Sequence, residues 1–392
     1  MKVIRKMKKR YHDIDLIRVL CVIFLPLIHV TEFWGLEDSC GGFLVQSFND
    51  VFYYPCFILT SFVAPVFMFT MGINMCLSKK NSAKALLNRG IFFLIIELIL
   101  NFFRYALPGF IGIIFSPNNE VRKNVLSMIG YGMINSDILA FAGLAFIIFA
   151  IFKKLKLKPI YILLISLALY LINELLIINL LSPILDNNLH YMVNNLLGNF
   201  IYINSDSTFS LLEWLIVVAL GYALGNYFII NKEDNKITKS YALFSMIGLI
   251  LSAIVIIISI LVDNRNIFSI FSHNINHTRM DYVCLITNIT ICIILLFIGN
   301  LIYKTKKIKE NERFNNFIVN FSININSYYI IQWILVGFVM FICGGVGLWG
   351  SHNVIAIVGI LGIIFITIAS YFLAPFINKI KDILDNKLTK NK

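Results

Sequence analysis

The residues with the clearest chemical potential lie near the start of the chain, where Asp15, Arg18 and His29 fall in one apolar stretch. Eleven residues separate Arg18 from His29, almost three helical turns, so the two side chains share a face and stand about 16 Å apart along the axis. Histidine exchanges a proton near neutral pH and suits a general base that activates a hydroxyl or an amine. A guanidinium suits phosphate groups. This pairing fits acyl transfer from a coenzyme A thioester.

Pro26 lies three residues before His29. Its ring frees a backbone carbonyl about one turn earlier, so we expect the helix to open or kink beside the histidine. A second interpretation stays open. Arg18 could instead extend to the lipid headgroups while His29 is a buried, hydrogen-bonded packing residue.

A second polar stripe is formed by Glu97, Asn101 and Arg104, which recur at helical spacing in an apolar run. Glu97 could orient an imidazolium or carry a proton, and Arg104 could meet an anionic acceptor near the outer end of the helix. The alternative is an internal ladder of salt bridges and hydrogen bonds that fixes helix packing. Glu174 and Glu213, near predicted helix ends, are expected to be solvated.

Two further groups of candidate site residues contain fewer members. Asp137 opens a predicted helix, so capping is its plain role and participation in a site its second one. Tyr328 and Gln332 share a face of a late helix with Trp333 beside them, which would suit an acceptor sugar held by stacking and amide hydrogen bonds. An interfacial aromatic residue is the alternative for Trp333.

The elements that must position these residues are membrane helices. Of the 392 residues, 59% are hydrophobic and 14% charged, and the apolar residues gather into runs of the length that crosses a bilayer. The runs predict an all-α polytopic membrane protein, a bundle of about ten transmembrane helices. The predicted spans are 14–36, 57–78, 86–107, 135–152, 159–182, 209–230, 241–262, 281–303, 324–345 and 352–376.

The basic residues indicate orientation. Most of the 33 lysines and arginines fall in alternate connections and at the two ends of the chain, which predicts that both termini are cytoplasmic. We therefore expect a basic tail at 1–13 without a cleavable signal, one transmembrane domain at 14–376 and a second basic tail at 377–392. The net charge of +12 is explained by loops facing anionic lipids, so no nucleic-acid partner is expected.

Other classes of site receive little support. The seven cysteines lack the spacing of metal ligands, and no metal is expected. Cys40 and Cys56 alone could meet outside the membrane in a disulfide. The segments 107–134 and 183–208 are predicted outer loops, either plain connectors or a roof over an outward-facing site. No nucleophile elbow, Walker loop or dinucleotide fingerprint is present.

Several motifs resemble those of the acyltransferase-3 family and its heparan-α-glucosaminide N-acetyltransferase relatives. The motifs follow the family's order and are Ile14-Asp15-Leu16-Ile17-Arg18 with His29, Ala64-Pro65-Val66-Phe67-Met68-Phe69-Thr70-Met71-Gly72, Asp137-Ile138-Leu139 with Gly143-Leu144-Ala145, Gly221-Tyr222-Ala223-Leu224-Gly225, and Ser327-Tyr328-Tyr329-Ile330-Ile331-Gln332. Val19 replaces a glycine of the opening pattern. Gln332 stands where many acyltransferase-3 members have histidine, which points toward the heparan-type and related bacterial branches.

The resemblance implies a membrane acyltransferase that moves an acetyl group from cytoplasmic acetyl-CoA to a hydroxyl or amine of a cell-envelope glycan or glycolipid. The expected catalytic residues are His29, Arg18 and Glu97. Arg18 and Asp15 are expected to bind the donor. Arg104, Tyr328, Gln332 and Trp333 are expected to bind the acceptor. The composition, rich in Ile, Asn and Lys, favours a bacterial cytoplasmic membrane. The alternative is a flippase or secondary transporter of a lipid-linked or anionic solute, although the two halves show no convincing repeat.

Overall fold

A computed structural model describes residues 10–33, 62–116, 119–134, 137–188, 191–203, 208–231, 233–265, 279–345 and 355–390. The described residues form helices and short connections. The helices are α1 His12–Phe33, α2 Val63–Leu77, α3 Ala83–Asn101, α4 Leu107–Ile114, α5 Asn119–Ile134, α6 Ile138–Lys154, α7 Pro159–Ile172, α8 Ser182–Asn188, α9 Tyr191–Gly198, α10 Leu211–Ile230, α11 Asp234–Leu261, α12 Tyr282–Lys304, α13 Lys306–Lys309, α14 Glu312–Ile323, α15 Ile325–Gly345 and α16 Ile355–Lys390. Two π-helical stretches, π1 Phe102–Ala106 and π2 Asn173–Leu181, continue α3 and α7.

Each predicted span overlaps one of these helices, and the all-α prediction is confirmed for the described residues. Seven helical stretches there are long and apolar enough to cross a membrane, and α2 and the first part of α15 are shorter apolar helices. The number of about ten spans and the cytoplasmic placement of both termini stay predictions. Cys40 and Cys56 lie outside the described residues, as does most of the segment between α11 and α12.

Two segments that were predicted as connecting loops are in fact largely or partly helical. The segment 107–134, predicted as an outer loop, is largely helical in α4 and α5, and 183–208 contains most of α8 and all of α9. The predicted C-terminal tail is also helical, because α16 runs through Pro375 to Lys390. Charged and amide side chains lower the hydropathy of α5, α8 and the end of α16 without preventing helix formation, whereas α4 is apolar and continues the stretch that begins at Ala83.

The first helix is the centre of the bundle. Helix α1 packs against α2, α12, α14, α15 and α16. Pro26 lies inside this helix and removes the donor that would bond the carbonyl of Val22. The side-chain amide of Gln332 in α15 donates to that carbonyl at 3.1 Å. The expected freed carbonyl is thus satisfied by a neighbouring helix, and α1 and α15 are tied together at the helix break.

Small residues allow the closest helix crossing. Helices α2 and α10 meet at Gly72 and Gly221, where a Cβ atom would collide with the carbonyl oxygen of Val218 and of Phe69 respectively. This is the packing that a Gly-x-x-x-Gly motif provides between membrane helices. By contrast, α11 and α16 expose most of their large apolar side chains, as expected for helices at the lipid-facing edge of a bundle.

Candidate active site

His29 lies in the last part of α1, one turn after Pro26, with only 6% of its surface exposed. Its imidazole stacks on the indole of Trp333 with ring centroids 3.8 Å apart. Tyr329 presents its ring to the same imidazole nearly at right angles, with centroids 6.1 Å apart. The Nδ1 atom of His29 has no hydrogen-bond partner among the described residues. The histidine is therefore fixed by two aromatic rings and has a buried ring nitrogen without a partner among the described residues.

Arg104 lies in π1, where the irregular helix turns its side chain toward α6 and α15. The guanidinium donates to Asp137 at 2.7 Å and to Asn101 at 2.7 Å, and one nitrogen lies 3.6 Å from Glu97. Its carbon also sits 4.3 Å from the centroid of the Trp333 indole. One indole therefore contacts both the histidine and the buried cation.

Gly337 explains how α15 comes so close to π1. A Cβ atom at Gly337 would collide with the carbonyl oxygen of Arg104, so any side chain there would push the two helices apart. Trp333 lies one turn before this glycine and is carried onto Arg104 and His29 by the same approach.

Asp137 joins the two halves of the site. Its carboxylate accepts from Arg104 and, at 2.5 Å, from the phenol of Tyr329, and its other oxygen accepts the backbone N–H of Ile138. Both predicted roles of Asp137 therefore apply, since it caps α6 and takes part in the cluster. The resulting chain of contacts runs from Glu97 and Arg104 through Asp137 and Tyr329 to His29. We call these residues, with Trp333 and Asn101, the imidazole cluster.

Arg18 lies on the same helix as His29 but outside this cluster. It donates to the hydroxyl of Ser322 at 3.2 Å, and Ser322 donates to Asp15 at 2.5 Å. Asp15 also accepts from Arg10 at 2.5 Å. The carboxylate of Asp15 is buried among these donors, so it positions the Arg18 side chain through Ser322. Arg18 itself stays half-buried.

A cleft borders both groups, although His29 itself does not line it. Its lining includes Arg18 and Arg89 together with Tyr329 of the imidazole cluster, and apolar residues such as Met71 and Phe146 form the walls. The cavity within it measures about 100 Å³. The guanidinium of Arg89 lies 4.9 Å from the centroid of the Phe146 ring, which holds it at the wall. We call this space the cationic cleft. Its two arginines give the cleft a positive charge that suits an anionic thioester donor. Tyr329 brings one end of the cleft into contact with the imidazole cluster.

The structure corrects three expectations. Arg104 is only 2% exposed and does not lie at an outer opening, so the alternative of an internal ion-pair ladder describes its contacts. Trp333 is buried beside His29 and is not an interfacial aromatic. Glu213 was expected to be solvated but has no exposed surface, and the hydroxyl of Ser210 donates to it at 2.9 Å.

Two predicted acceptor-binding residues point elsewhere. Tyr328 stacks on Phe321 of α14 with centroids 3.9 Å apart, on a different face of α15 from Tyr329. Gln332 is engaged with the carbonyl of Val22, while its Oε1 has no partner among the described residues. Their acceptor-binding role stays a prediction.

Three residues of the site were missed from sequence. Tyr329, Ser322 and Arg89 are each brought in by a helix distant along the chain. The spacing of Tyr329 and Trp333, four residues apart on α15, was a usable signal, because two aromatics at this spacing share one helix face. Arg89 was one of the many basic residues that indicated the orientation of the chain, and nothing in its surroundings singled it out. The sequence around Ser322 contains no pattern that would predict a role in the site.

These features define a multi-pass membrane protein with a buried histidine beside a cationic cleft, and comparison with known families adds the chemistry. A family match places the protein among membrane acyltransferases. A model of the heparan-alpha-glucosaminide N-acetyltransferase catalytic family matches residues 10–247, more than half of the chain, and the chain belongs to this family. No curated protein and no solved structure matches it. The matched region contains His29, Arg104 and Asp137, whereas Tyr329 and Trp333 lie beyond it.

Proposed function

We propose that this protein transfers an acetyl group from cytoplasmic acetyl-CoA to a hydroxyl or amine of a cell-envelope glycan or glycolipid. The observation that carries the proposal is the position of His29. Its imidazole, with Nδ1 unengaged, contacts Tyr329, and Tyr329 lines the cleft that also holds Arg18 and Arg89. Tyr329 thus contacts both the proposed base and the cleft that holds the two arginines, and this contact supports the proposal.

The donor site is assigned to the cationic cleft. Arg18 and Arg89 would bind phosphate groups, and the apolar wall with Met71 would hold the uncharged arm that ends in the thioester. Asp15 positions Arg18 through Ser322 and need not touch the donor itself. Because basic residues collect at the end of the bundle where α1 begins, the donor would enter from the cytoplasm.

The proposed reaction uses His29 as a general base. His29 takes the proton of the acceptor hydroxyl or amine, whose oxygen or nitrogen bonds to the carbonyl carbon of the thioester. The carbon–sulfur bond breaks, and the proton passes from His29 to the departing thiolate, which leaves as the free thiol. Arg104 and Asp137 hold Tyr329 in place by the hydrogen bond at 2.5 Å, so their role is positioning. Glu97 balances the charge of Arg104.

The acceptor would approach His29 from the side opposite the cationic cleft. Gln332 has an amide oxygen without a partner among the described residues, which suits a sugar hydroxyl, whereas the Trp333 indole is stacked on His29 and holds it in place. Tyr328, stacked on Phe321, would contribute only by supporting α15.

The test combines donor binding with turnover on the purified protein in nanodiscs. Calorimetry with acetyl-CoA should show saturable binding that Arg18→Ala weakens by about 10- to 100-fold, the loss of a charge-assisted contact. His29→Ala should retain donor binding and lose transfer by about 10²- to 10⁴-fold. Arg122→Ala, an exposed arginine of α5, is the matched control and should leave both unchanged. If millimolar acetyl-CoA does not bind at all, the transporter alternative replaces this proposal.

A further inference from the structure

A second cavity adjoins the cationic cleft. It measures about 320 Å³, about three times the volume of the cleft itself. It lies between α3, α15 and α16, beside the start of α6. Almost all of its lining is apolar, contributed by Phe92, Phe93, Ile96, Ile99, Leu100, Phe103, Leu139, Asn326, Ser327, Ile330, Ile334 and Ile377. We call it the side cavity.

The two spaces share a wall. Phe93, Leu139 and Asn326 line both the cationic cleft and the side cavity. The Phe93 ring is held by Phe146, with centroids 5.5 Å apart, and by the guanidinium of Arg89 at 5.7 Å. A flexible ligand in the cleft therefore has an apolar space directly behind the side chains that contact it.

The lining decides what kind of group the side cavity can hold. A polar or charged ligand there would lose its hydration with few partners to replace it, since only Asn326 and Ser327 offer polar side chains. At the other side of the cavity, Ile99 and Phe103 are exposed on the surface of the bundle that faces lipid. The occupant is therefore an alkyl chain.

The neighbouring cleft decides which alkyl chain. Arg18 and Arg89 suit the phosphates of a coenzyme A thioester, so a chain that enters through the shared wall belongs to a ligand with phosphates at one end and an acyl group at the other. The acetyl group is too short to need this space. An acyl chain of several carbons would extend into it.

We propose that the side cavity binds the acyl chain of donor thioesters longer than acetyl, so that this protein uses medium-chain acyl groups as well. This inference rests on the proposed donor site in the cationic cleft. It makes the shared wall, above all Phe93 and Leu139, the feature that selects acyl length.

A third cavity provides a matched control. It measures about 500 Å³ and is equally apolar, but it lies between α2, α10, α11 and α12 and shares no lining residue with the cationic cleft. Leu224 of α10 projects into it. Filling this cavity changes the apolar volume of the bundle without touching the path proposed for the donor.

The experiment measures the affinity of the protein in nanodiscs for acetyl-, butanoyl-, hexanoyl- and octanoyl-CoA, with empty nanodiscs subtracted. Transfer of alkyl surface from water predicts about a fourfold gain in affinity for each added methylene until the cavity is filled. Ile334→Trp, which fills the side cavity, should collapse the ratio of octanoyl to acetyl affinity. Leu224→Trp should leave the ratio unchanged. Ile96→Trp, from α3, repeats the test if Ile334→Trp does not fold.

The outcomes separate the two proposals. If acetyl-CoA binds but affinity does not rise with chain length, the inference is overturned and the proposed function stands. The inference is also overturned if affinity still increases with chain length in both Ile334→Trp and Ile96→Trp. It is overturned too if a bilayer lipid occupies the cavity and affinity no longer depends on chain length. If no thioester binds, both proposals fail together.

Discussion

Two of the ionic clusters formed by the described residues can be compared, because they differ in what surrounds their charges. The imidazole cluster centres on Arg104, which is 2% exposed and contacts Asp137, Asn101 and Glu97. The second, which we call the carboxylate cluster, contains three acids and their donors. Glu174 of π2 accepts from Arg279 at 3.1 Å, Asp281 from Arg265, and Glu213 from Ser210 at 2.9 Å.

The carboxylate cluster connects segment ends. Arg265 and Arg279 come from the connection between α11 and α12, and their side chains are 28% and 26% exposed. They tie that connection to π2 and to the first residue before α12. The members of the imidazole cluster instead lie within α1, α3, π1 and α15, apart from Asp137, which caps α6.

The difference shows that a buried carboxylate is a poor indicator of a reactive site by itself. Both clusters contain acids with little or no exposed surface. Only the imidazole cluster combines them with a histidine whose Nδ1 lacks a partner among the described residues, and with a residue, Tyr329, that lines the cationic cleft. Access to a ligand distinguishes a site from a structural ion pair.

Asp137→Asn is the strongest way to test the comparison. The substitution leaves the charge of Arg104 buried with only Glu97, 3.6 Å away, to balance it. Breaking a buried ion pair on one side costs about 3–5 kcal/mol of unfolding free energy. Thermal or denaturant unfolding in detergent measures this loss, and acyl transfer should fall with it because Tyr329 loses its charged acceptor.

The control for Asp137→Asn is the double variant with Arg104→Met. Removing both charges should recover part of the lost stability, since no unbalanced charge remains, while transfer stays low. A loss below about 1 kcal/mol for Asp137→Asn alone would mean that Arg104 does not depend on this carboxylate, against the geometry described here.

Much of the fold could be predicted from the sequence, because membrane helices are specified by local sequence patterns. Apolar runs predicted the helices, and Pro26 predicted a freed carbonyl, to which the side-chain amide of Gln332 donates a hydrogen bond. Gly221 in its Gly-x-x-x-Gly motif marked the closest crossing. In each case the physical cause lies within a few residues of the pattern.

The site could be predicted only in part, because its contacts join distant helices. His29 and the Glu97 stripe were visible as polar residues at membrane depth. That Trp333 stacks on His29 depends on how α15 crosses α1, some three hundred residues away, and no local pattern contains that crossing. Glu213 was wrongly expected in solvent because it lies near a helix end. Ser210 and the segment of Met280 cover it.

Asp281 gives a pH-dependent test in the carboxylate cluster. Burial would raise the pKa of Asp281, but the backbone N–H of Cys284 and the guanidinium of Arg265 together hold this pKa below its usual range. A lowered folded-state pKa stabilises the protein above the unfolded value near 3.9, and this stability is lost as pH falls through the folded value. Acidification should therefore remove the advantage of wild type over Asp281→Asn.

The expected difference at neutral pH is about 1 kcal/mol, because asparagine still caps α12 and the substitution removes only the charge at the helix start and its ion pair with the partly exposed Arg265. Unfolding followed from neutral pH down to about pH 2 measures it, with the exposed Glu310→Gln as control for charge loss. Acyl transfer at neutral pH should not change. A stability difference that persists below the folded pKa of Asp281 would show that the charge is not its source.

Glu213→Gln should have the smallest effect and decides whether the carboxylate cluster is structural. The amide keeps the shape of the side chain and still accepts from Ser210. Among the described residues no cation lies within ion-pair distance of Glu213, so no cation loses its counter-ion in this variant. The free energy of unfolding should therefore change by less than about 1 kcal/mol. Glu213→Ala, which removes the acceptor and leaves a void, should destabilise more. If Glu213→Gln instead abolishes acyl transfer while the protein stays folded and binds acetyl-CoA, the carboxylate cluster takes part in the reaction, and the distinction drawn from access to the cleft is wrong.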